Sequence, residues 1–288
     1  MRITLPVLLA AAFAAGPVAA QVTSTAPAPT QPDAPVDDDP TRITIGVGAA
    51  TVPIYEGADE NQIIPAAVAV GRVRGHDFFT RGTQLYVDLA RDRPGPGTNL
   101  ELGPIAAVRL DRTNRVDQPN VRALGRIDTA YELGAFVGVS RTGVITSDFD
   151  MLSARVAYLA DVGGAHGSYV ITPQVTYTTP LSLRTLVSIG ASADYVGRGY
   201  GRTYFGITPA QSLASGLRTF DAADSGWKRY NLSAFALQSL SGDLRRGFGV
   251  GAGVIYGRML GRYKDSPIVS DVGDADQWAA AVGLTYTF

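Results

Sequence analysis

The sequence contains no cysteine, which excludes disulfide frameworks, thiolate zinc sites, thiol catalysis and a cysteine-linked lipid anchor. Histidine occurs only twice, as His76 and His166. His76 is followed by Asp77, but adjacent residues of a strand point to opposite faces, and His166 lies in the turn-like segment GGAHGS. The acidic segment 271–276 lacks the spacing of a calcium-binding loop and is interpreted as solvated. We therefore expect no catalytic, cofactor-binding or metal site, and no enzyme activity.

Charge and long apolar runs are also scarce. Charged residues make up 18% of the chain and the net charge is −1, so there is no broad electrostatic case for binding nucleic acid. After residue 41 no stretch approaches the roughly 20 uninterrupted apolar residues that a membrane-spanning helix needs. Two-residue alternation recurs instead, which is typical of strands with one apolar face.

The first twenty residues have the pattern of a cleaved signal peptide. Arg2 provides a positive start, and an apolar stretch follows over 3–15. Val18 and Ala20 occupy the positions that a signal peptidase reads, which predicts cleavage after Ala20 and export of the chain.

Two further segments follow the predicted cleavage site. Residues 21–40 are rich in proline, threonine and aspartate and have almost no large apolar side chain. Such a segment cannot bury enough surface to offset its ordering entropy, so we interpret it as a disordered periplasmic leader. From 41 to 288 the composition and the two-residue alternation stay uniform, which indicates one domain.

Alternation predicts about twelve strands in this domain, although ten or fourteen are also compatible with the pattern. The segment HDFF (76–79) extends one of them or adds another. The predicted strands are 42–52, 62–74, 83–91, 98–111, 127–140, 149–161, 167–179, 182–197, 200–207, 226–240, 244–258 and 276–288.

Strand length and aromatic placement favour a transmembrane antiparallel up-and-down β-barrel over a soluble sandwich, the alternative that alternation leaves open. Many of the predicted strands exceed the 9–11 residues or so that cross a bilayer, and their apolar faces begin or end on aromatics. The opposite face is polar and would line the lumen. Its charges are mixed in sign, which favours a paired network and a narrow or occluded lumen. The candidate lumen charges are Asp88, Glu101, Arg109, Glu132, Arg155, Arg184 and Asp194.

The last predicted strand indicates where in the cell the protein is located. Leu284, Tyr286 and Phe288 alternate at the end of the chain, in the pattern that the barrel assembly machinery reads in outer-membrane proteins. We predict insertion into the outer membrane of a Gram-negative cell, in contact with its lipid.

Counting strands assigns each connection to one side of the membrane. A periplasmic start puts 55–60 outside, and counting back from the last strand puts 208–225 and 259–275 outside as well. The same count puts the long connection 112–126 inside, which does not suit its length.

Several stretches together resemble the MipA/OmpV family of outer-membrane proteins. They are IGVGAATVPIYEGADENQIIPAAV (45–68), LELGPIAAVRLDR (100–112), YELGAFVGV (131–139), GRTYFGITPAQSLASGL (201–217), GRYKDSPIV (261–269) and the ending LTYTF. The family-like positions are Pro53, Tyr55, Glu56, Gly57, Gly103, Pro104, Tyr204, Phe205, Gly206, Ser266 and Pro267.

The resemblance implies a non-enzymatic role and brings no catalytic residue or cofactor. The name-giving member is understood as a scaffold that bridges a lytic transglycosylase and a penicillin-binding murein synthase. Other members are treated as porin-like or adhesive. A scaffolding or structural role is therefore expected, with a narrow channel for small solutes or a surface adhesin as alternatives.

Overall fold

The computed structural model describes residues 41–91, 95–114 and 116–288. The predicted signal peptide and leader lie outside these residues and stay predictions. The strands are β1 Thr41–Pro53, β2 Asn61–Val73, β3 His76–Arg81, β4 Gln84–Val87, β5 Gly97–Arg109, β6 Ala130–Thr142, β7 Met151–Asp161, β8 Tyr169–Pro180, β9 Thr185–Val196, β10 Gly226–Ser239, β11 Gly247–Met259 and β12 Asp276–Thr287. The helices are α1 Pro119–Ala123, α2 Arg198–Phe205, α3 Pro209–Ser215, α4 Gly261–Lys264 and α5 Pro267–Ser270. No helix in the described ranges is long and apolar enough to span a membrane.

The twelve strands form one closed barrel in which each strand pairs with its neighbours in the chain. Closure comes from antiparallel pairing of β1 with β12, with Thr44 opposite Thr287 and Thr51 opposite Ala280. The hydroxyls of Thr44 and Thr287 lie 2.8 Å apart across this seam. Because closure leaves no unpaired edge, the predicted all-β, antiparallel barrel is confirmed.

The strand count of twelve is confirmed, but its membership differs from the prediction in two places. The predicted strand 200–207 is wrong, because Tyr200 and Tyr204 lie four residues apart on the buried face of helix α2. Residues 76–81 form a separate strand, β3. It follows β2 after a tight turn in which Arg74 and Gly75 have φ values of 55° and 82°.

These two changes move the connections between them to the other end of the barrel. The sequence analysis put 112–126 at the opposite end from 208–225, but the structure places 110–129, 197–225 and 260–275 at the same end. We call this the capped end. The other end, where β1 begins and β12 finishes, is called the terminal end.

The long connections fold together over the barrel as a cap. Their apolar side chains form one buried cluster around the rings of Tyr200, Tyr204, Phe205 and Tyr263. Helix α3 is fixed by a capping box, in which the side chains of Thr208 and Gln211 each accept from the backbone of the other. The cap is therefore a packed layer built on the barrel rim.

The outer surface carries an exposed apolar band between two sets of aromatic residues. From Trp278 to Phe288 the band spans about 25 Å, at about 3.3 Å per residue and a tilt of about 40°. This height matches the hydrocarbon layer that a transmembrane barrel faces. The aromatics at the capped end are Tyr131, Tyr158, Tyr169, Tyr195, Trp227, Tyr230, Tyr256 and Trp278, and those at the terminal end are Tyr177, Phe248, Tyr286 and Phe288.

Candidate functional site

A buried carboxylate joins the cap to the barrel wall. Glu56, in the connection between β1 and β2, accepts from the Lys228 ammonium at 2.6 Å and from the Tyr200 hydroxyl at 2.7 Å. Its Oε1 also lies 3.9 Å from Arg109 and 3.7 Å from Arg229. Lys228 and Arg229 come from β10 and Arg109 from β5, so Glu56 sits between well-separated strands in the barrel interior.

Arg109 extends this network toward β6. Its Nε and Nη2 donate to the two carboxylate oxygens of Glu132 at 3.0 and 3.1 Å, and its Nη1 donates to the Tyr200 hydroxyl at 3.0 Å. His166 Nε2 lies 3.0 Å from Glu132 Oε1. All four side chains are almost completely buried, so the hydrogen bonds replace the hydration that these groups lose.

A β-bulge brings two consecutive basic residues to the same side of β10. In the pairing with β9, Trp227 faces Tyr195 and Arg229 faces Asp194, which leaves Lys228 as the extra residue. Both Lys228 and Arg229 are therefore buried, although consecutive strand residues normally alternate.

Asp194 is the acidic partner on β9. Its Oδ2 accepts from Arg229 Nε at 2.9 Å and lies 3.8 Å from the Lys228 ammonium. Its Oδ1 accepts from the Thr172 hydroxyl at 2.9 Å. We call Glu56, Arg109, Glu132, Asp194, Lys228 and Arg229 the charge network. Its three carboxylates match its three cations, so burial leaves no net charge.

The pKa values of two buried acidic residues near the cap, Glu56 and Asp111, are shifted in opposite directions. Burial alone would raise the pKa of Glu56, but the charges of Lys228, Arg229 and Arg109 outweigh it and hold the pKa at about 2. Asp111, which follows β5, shows the reverse. Burial and the nearby Glu56 charge raise its pKa to about 6, even though its Oδ1 accepts from the Glu56 backbone N–H at 3.2 Å.

A second set of interior contacts lies nearer the middle of the barrel. Arg155 on β7 forms a bidentate pair with Glu101 on β5, and the Arg155 guanidinium lies 4.9 Å from the centre of the Phe79 ring. Arg81 on β3 donates to Gln174 on β8, and those two strands lie on opposite sides of the barrel. The interior is thus bridged at two levels by side chains.

Six of the seven candidate lumen charges are buried, and one is not. Glu101, Arg109, Glu132, Arg155 and Asp194 lie on strands and form the contacts described above. Asp88 lies just after β4, where it accepts from the backbone N–H groups of Ala90 and Leu102. Arg184 lies instead in the exposed turn before β9, because that strand begins only at Thr185.

Most of the family-like positions meet in the cap. The Tyr55 hydroxyl donates to the carbonyls of Ile268 and Val272, and Ser266 Oγ donates to the Phe205 carbonyl at 2.7 Å. Tyr204 packs in the same cluster. Motifs far apart in the sequence therefore hold neighbouring connections together.

The remaining family-like positions serve the backbone. Gly57 has a φ of 97°, and a Cβ there would lie 2.5 Å from Val269 Cγ2. Gly206 ends α2, and Pro267 begins α5. Pro53 ends β1, while Gly103 and Pro104 lie on β5, apart from the cap.

The predicted insertion residues lie on the outer surface. Leu284, Tyr286 and Phe288 are exposed, and the Tyr286 ring packs against those of Phe248 and Phe288, each at 4.8 Å between centres. Whether the assembly machinery reads them stays a prediction.

Sequence reasoning missed three members of the site: Tyr200, Lys228 and Arg229. Tyr200 was assigned to a strand. The bulge at Lys228 could not be recognised, because one inserted residue gives no distinctive alternation of apolar and polar residues. The one available signal was the pair of adjacent basic residues flanked by aromatics in WKRY (227–230). Within the ranges that the structure describes, no three histidine or acidic side chains are grouped so as to hold a metal ion.

Comparison with known proteins gives one family and several barrels. No curated protein sequence matches this chain. An outer-membrane channel from Pseudomonas putida F1 is 10% identical, with 90% of this chain and 98% of that one covered and a TM-score of 0.41. The outer-membrane channel DcaP of Acinetobacter baumannii is 10% identical, with 86% and 97% covered and a TM-score of 0.39. The translocator domain of the autotransporter NalP from Neisseria meningitidis is 15% identical, with 86% and 88% covered and a TM-score of 0.35.

The model of the MltA-interacting protein MipA family matches residues 45–288, which includes every strand of the barrel in whole or in large part. The apolar band and the aromatic girdles agree with a barrel that lies in the outer membrane. The chain is therefore an outer-membrane β-barrel and belongs to the MltA-interacting protein MipA family.

Proposed function

We propose that this protein is a non-catalytic scaffold of the outer membrane that holds a lytic transglycosylase of the MltA type, together with a penicillin-binding murein synthase, near the cell wall. The family match carries this proposal, because the family is described by its interaction with MltA. The geometry supports it, since side-chain contacts from Lys228 to Glu56 and from Arg81 to Gln174 bridge the barrel interior.

The bridged interior argues for a platform rather than an open pore. Glu56 joins the cap to β10, and Arg81 reaches from β3 to β8. Opening a wide path would leave several buried charges without partners, which is costly. A scaffold needs no such opening.

Connection lengths suggest which end meets the partners. In bacterial barrels the short turns face the periplasm and the longer loops face outside. The terminal end carries the shorter turns, such as 74–75 and 181–184, while the capped end carries 110–129, 197–225 and 260–275. We therefore expect the murein enzymes to bind at the terminal end.

Co-purification from detergent-solubilised envelopes tests the proposal. We expect an MltA-type transglycosylase to be retained by the tagged protein, and retention to fall when the terminal-end turn 143–150 is replaced by a short Gly/Ser linker. The matched control replaces the capped-end connection 162–168 in the same way. Retention that is absent in the unaltered protein, or lost equally in both variants, contradicts the proposal.

A small-solute channel is the second candidate, and one observation favours it. Gly48 on β1 and Ala281 on β12 face the interior by alternation, yet both are exposed, so space remains along this wall. On the neighbouring strand β11, Gly251 and Gly253 carry no side chain, and the Phe235 ring covers them. Steady single-channel steps in a planar bilayer, without retention of murein enzymes, would support the channel over the scaffold.

A further inference from the structure

Two turns at the terminal end are joined into one rigid surface. We call residues 181–184 and 240–246 the double turn. Leu244 N donates to the Leu183 carbonyl at 2.9 Å, and Ser239 N donates to the Arg184 carbonyl at 2.7 Å. Ser239 Oγ also donates to the Asp243 carbonyl at 2.7 Å. These hydrogen bonds therefore hold the backbones of the two turns together.

The double turn exposes three large apolar side chains. Leu181, Leu183 and Leu240 are 65%, 70% and 62% exposed. Leu181 continues the outward alternation of β8, and Leu240 continues that of β10. The backbone N–H of Leu240 donates to the carbonyl of the exposed, outward-facing Phe248 at 2.8 Å. Leu181 and Leu240 therefore continue the apolar band of the barrel, and Leu183 is exposed in the turn between β8 and β9.

Basic side chains stand beside the leucines. Arg245 binds Asp243 through Nε at 3.1 Å and Nη2 at 2.9 Å, which occupies both oxygens of the acid in this surface. Arg184 and Arg246 are exposed and form no ion pair with any described residue. Three arginines against one aspartate leave the double turn positively charged.

We propose that the double turn is a binding site for an anionic phosphoglyceride of the leaflet at the terminal end. The leucines would enter the outer part of the acyl layer, while Arg184 and Arg246 contact the phosphate. Guanidinium groups bind phosphate well because their planar donors match its oxygens. Continuity with the apolar band and with Phe248 favours a lipid over an acidic protein, which would need a surface that projects away from the bilayer.

Native mass spectrometry of the detergent-purified full chain tests this, with dioctanoyl phosphatidylglycerol as the probe. The combined variant Arg184→Gln and Arg246→Gln should weaken binding about 25-fold, or about fivefold for each arginine, since each basic residue near an anionic bilayer contributes about 1 kcal/mol. The control variant Arg126→Gln, at the capped end, should bind like the unaltered protein. Leu183→Ser should weaken binding of the lipid but not of soluble glycerol phosphate.

Three results would overturn the proposal. The first is unchanged phosphatidylglycerol binding by the double arginine variant when its folded fraction, measured by gel mobility before heating, is normal. The second is glycerol phosphate binding as tightly as the lipid, which would indicate a site for free phosphate. The third is loss of a murein enzyme from the double arginine variant while its lipid binding is retained, which would make the surface a protein interface.

Discussion

Replacing Lys228 by methionine tests whether the charge network fastens the cap to the barrel. The Lys228 side chain is 1% exposed, and its ammonium lies 2.6 Å from Glu56, 2.9 Å from the Tyr200 hydroxyl and 3.8 Å from Asp194. Methionine keeps much of the volume but removes the charge. The network then holds three carboxylates against two guanidinium groups.

The distances around Lys228 give the expected loss of folding free energy in the Lys228→Met variant. At an effective dielectric constant of about 20, the contact with Glu56 amounts to roughly 6 kcal/mol before desolvation is counted. Arg229 at 3.7 Å and Arg109 at 3.9 Å still neutralise part of the Glu56 charge. We therefore expect a loss of about 3 kcal/mol, the lower end for breaking a buried pair. For a chain of this size that lowers the unfolding midpoint by about 6–12 °C.

The assay is the temperature at which half of the protein loses its folded mobility on a gel, with protease cleavage within 197–225 as a second readout. The double variant Glu56→Gln with Lys228→Met restores neutrality, so its midpoint should return to within a few degrees of the unaltered protein. Asp243→Asn, which breaks a partly exposed pair with Arg245, should change the midpoint little. If Lys228→Met shifts the midpoint no further than Asp243→Asn, the charge network does not fasten the cap.

Three further outcomes follow from the structure. Asp111→Asn should stabilise the protein by up to about 3 kcal/mol above pH 6, because a raised pKa means that folding disfavours the charged form. The gain should vanish near pH 4, and a gain that does not change between pH 4 and pH 8 would contradict this origin. Gly57→Ala should destabilise more than Gly164→Ala: both glycines have positive φ, but only at position 57 would the Cβ meet Val269. Equal midpoints for the two variants would refute the contact argument. Phe288→Ser should reduce the heat-modifiable fraction in outer-membrane preparations, whereas an unchanged fraction would show that the last ring is dispensable.

Alternation and aromatic placement were sufficient to predict the barrel. Both depend on which face of a strand contacts lipid, and the apolar or polar character of every second residue indicates that face. Strand alternation alone also indicates which wall charges, such as Glu101, Arg155 and Asp194, lie on the inner face. Arg184 was misassigned because the turn before β9 sets where that strand begins, and strand boundaries are the feature that sequence patterns predict least reliably.

The cap could not be predicted in the same way. Helix α2 is short, and its buried face becomes apparent only when Tyr200 and Tyr204 meet residues from distant connections. The bulge at Lys228 inserts one residue without any change in composition. Glu56 lies in a connection, where polar residues are expected, so nothing nearby in the sequence marks it as buried. The burial of Glu56 depends on Tyr200 and Lys228, which lie 144 and 172 positions away in the chain.

The seam between β1 and β12 has a consequence for the order of events in folding. Thr44 and Thr287 meet across 243 positions of chain. Joining the ends of so long a loop costs about 5 kcal/mol of chain entropy, which must be met before the seam contributes anything. Strand β1 therefore pairs only with β2 until β12 has joined the sheet. During that interval the growing sheet keeps two open edges, and export without protection from association with other chains would favour aggregation.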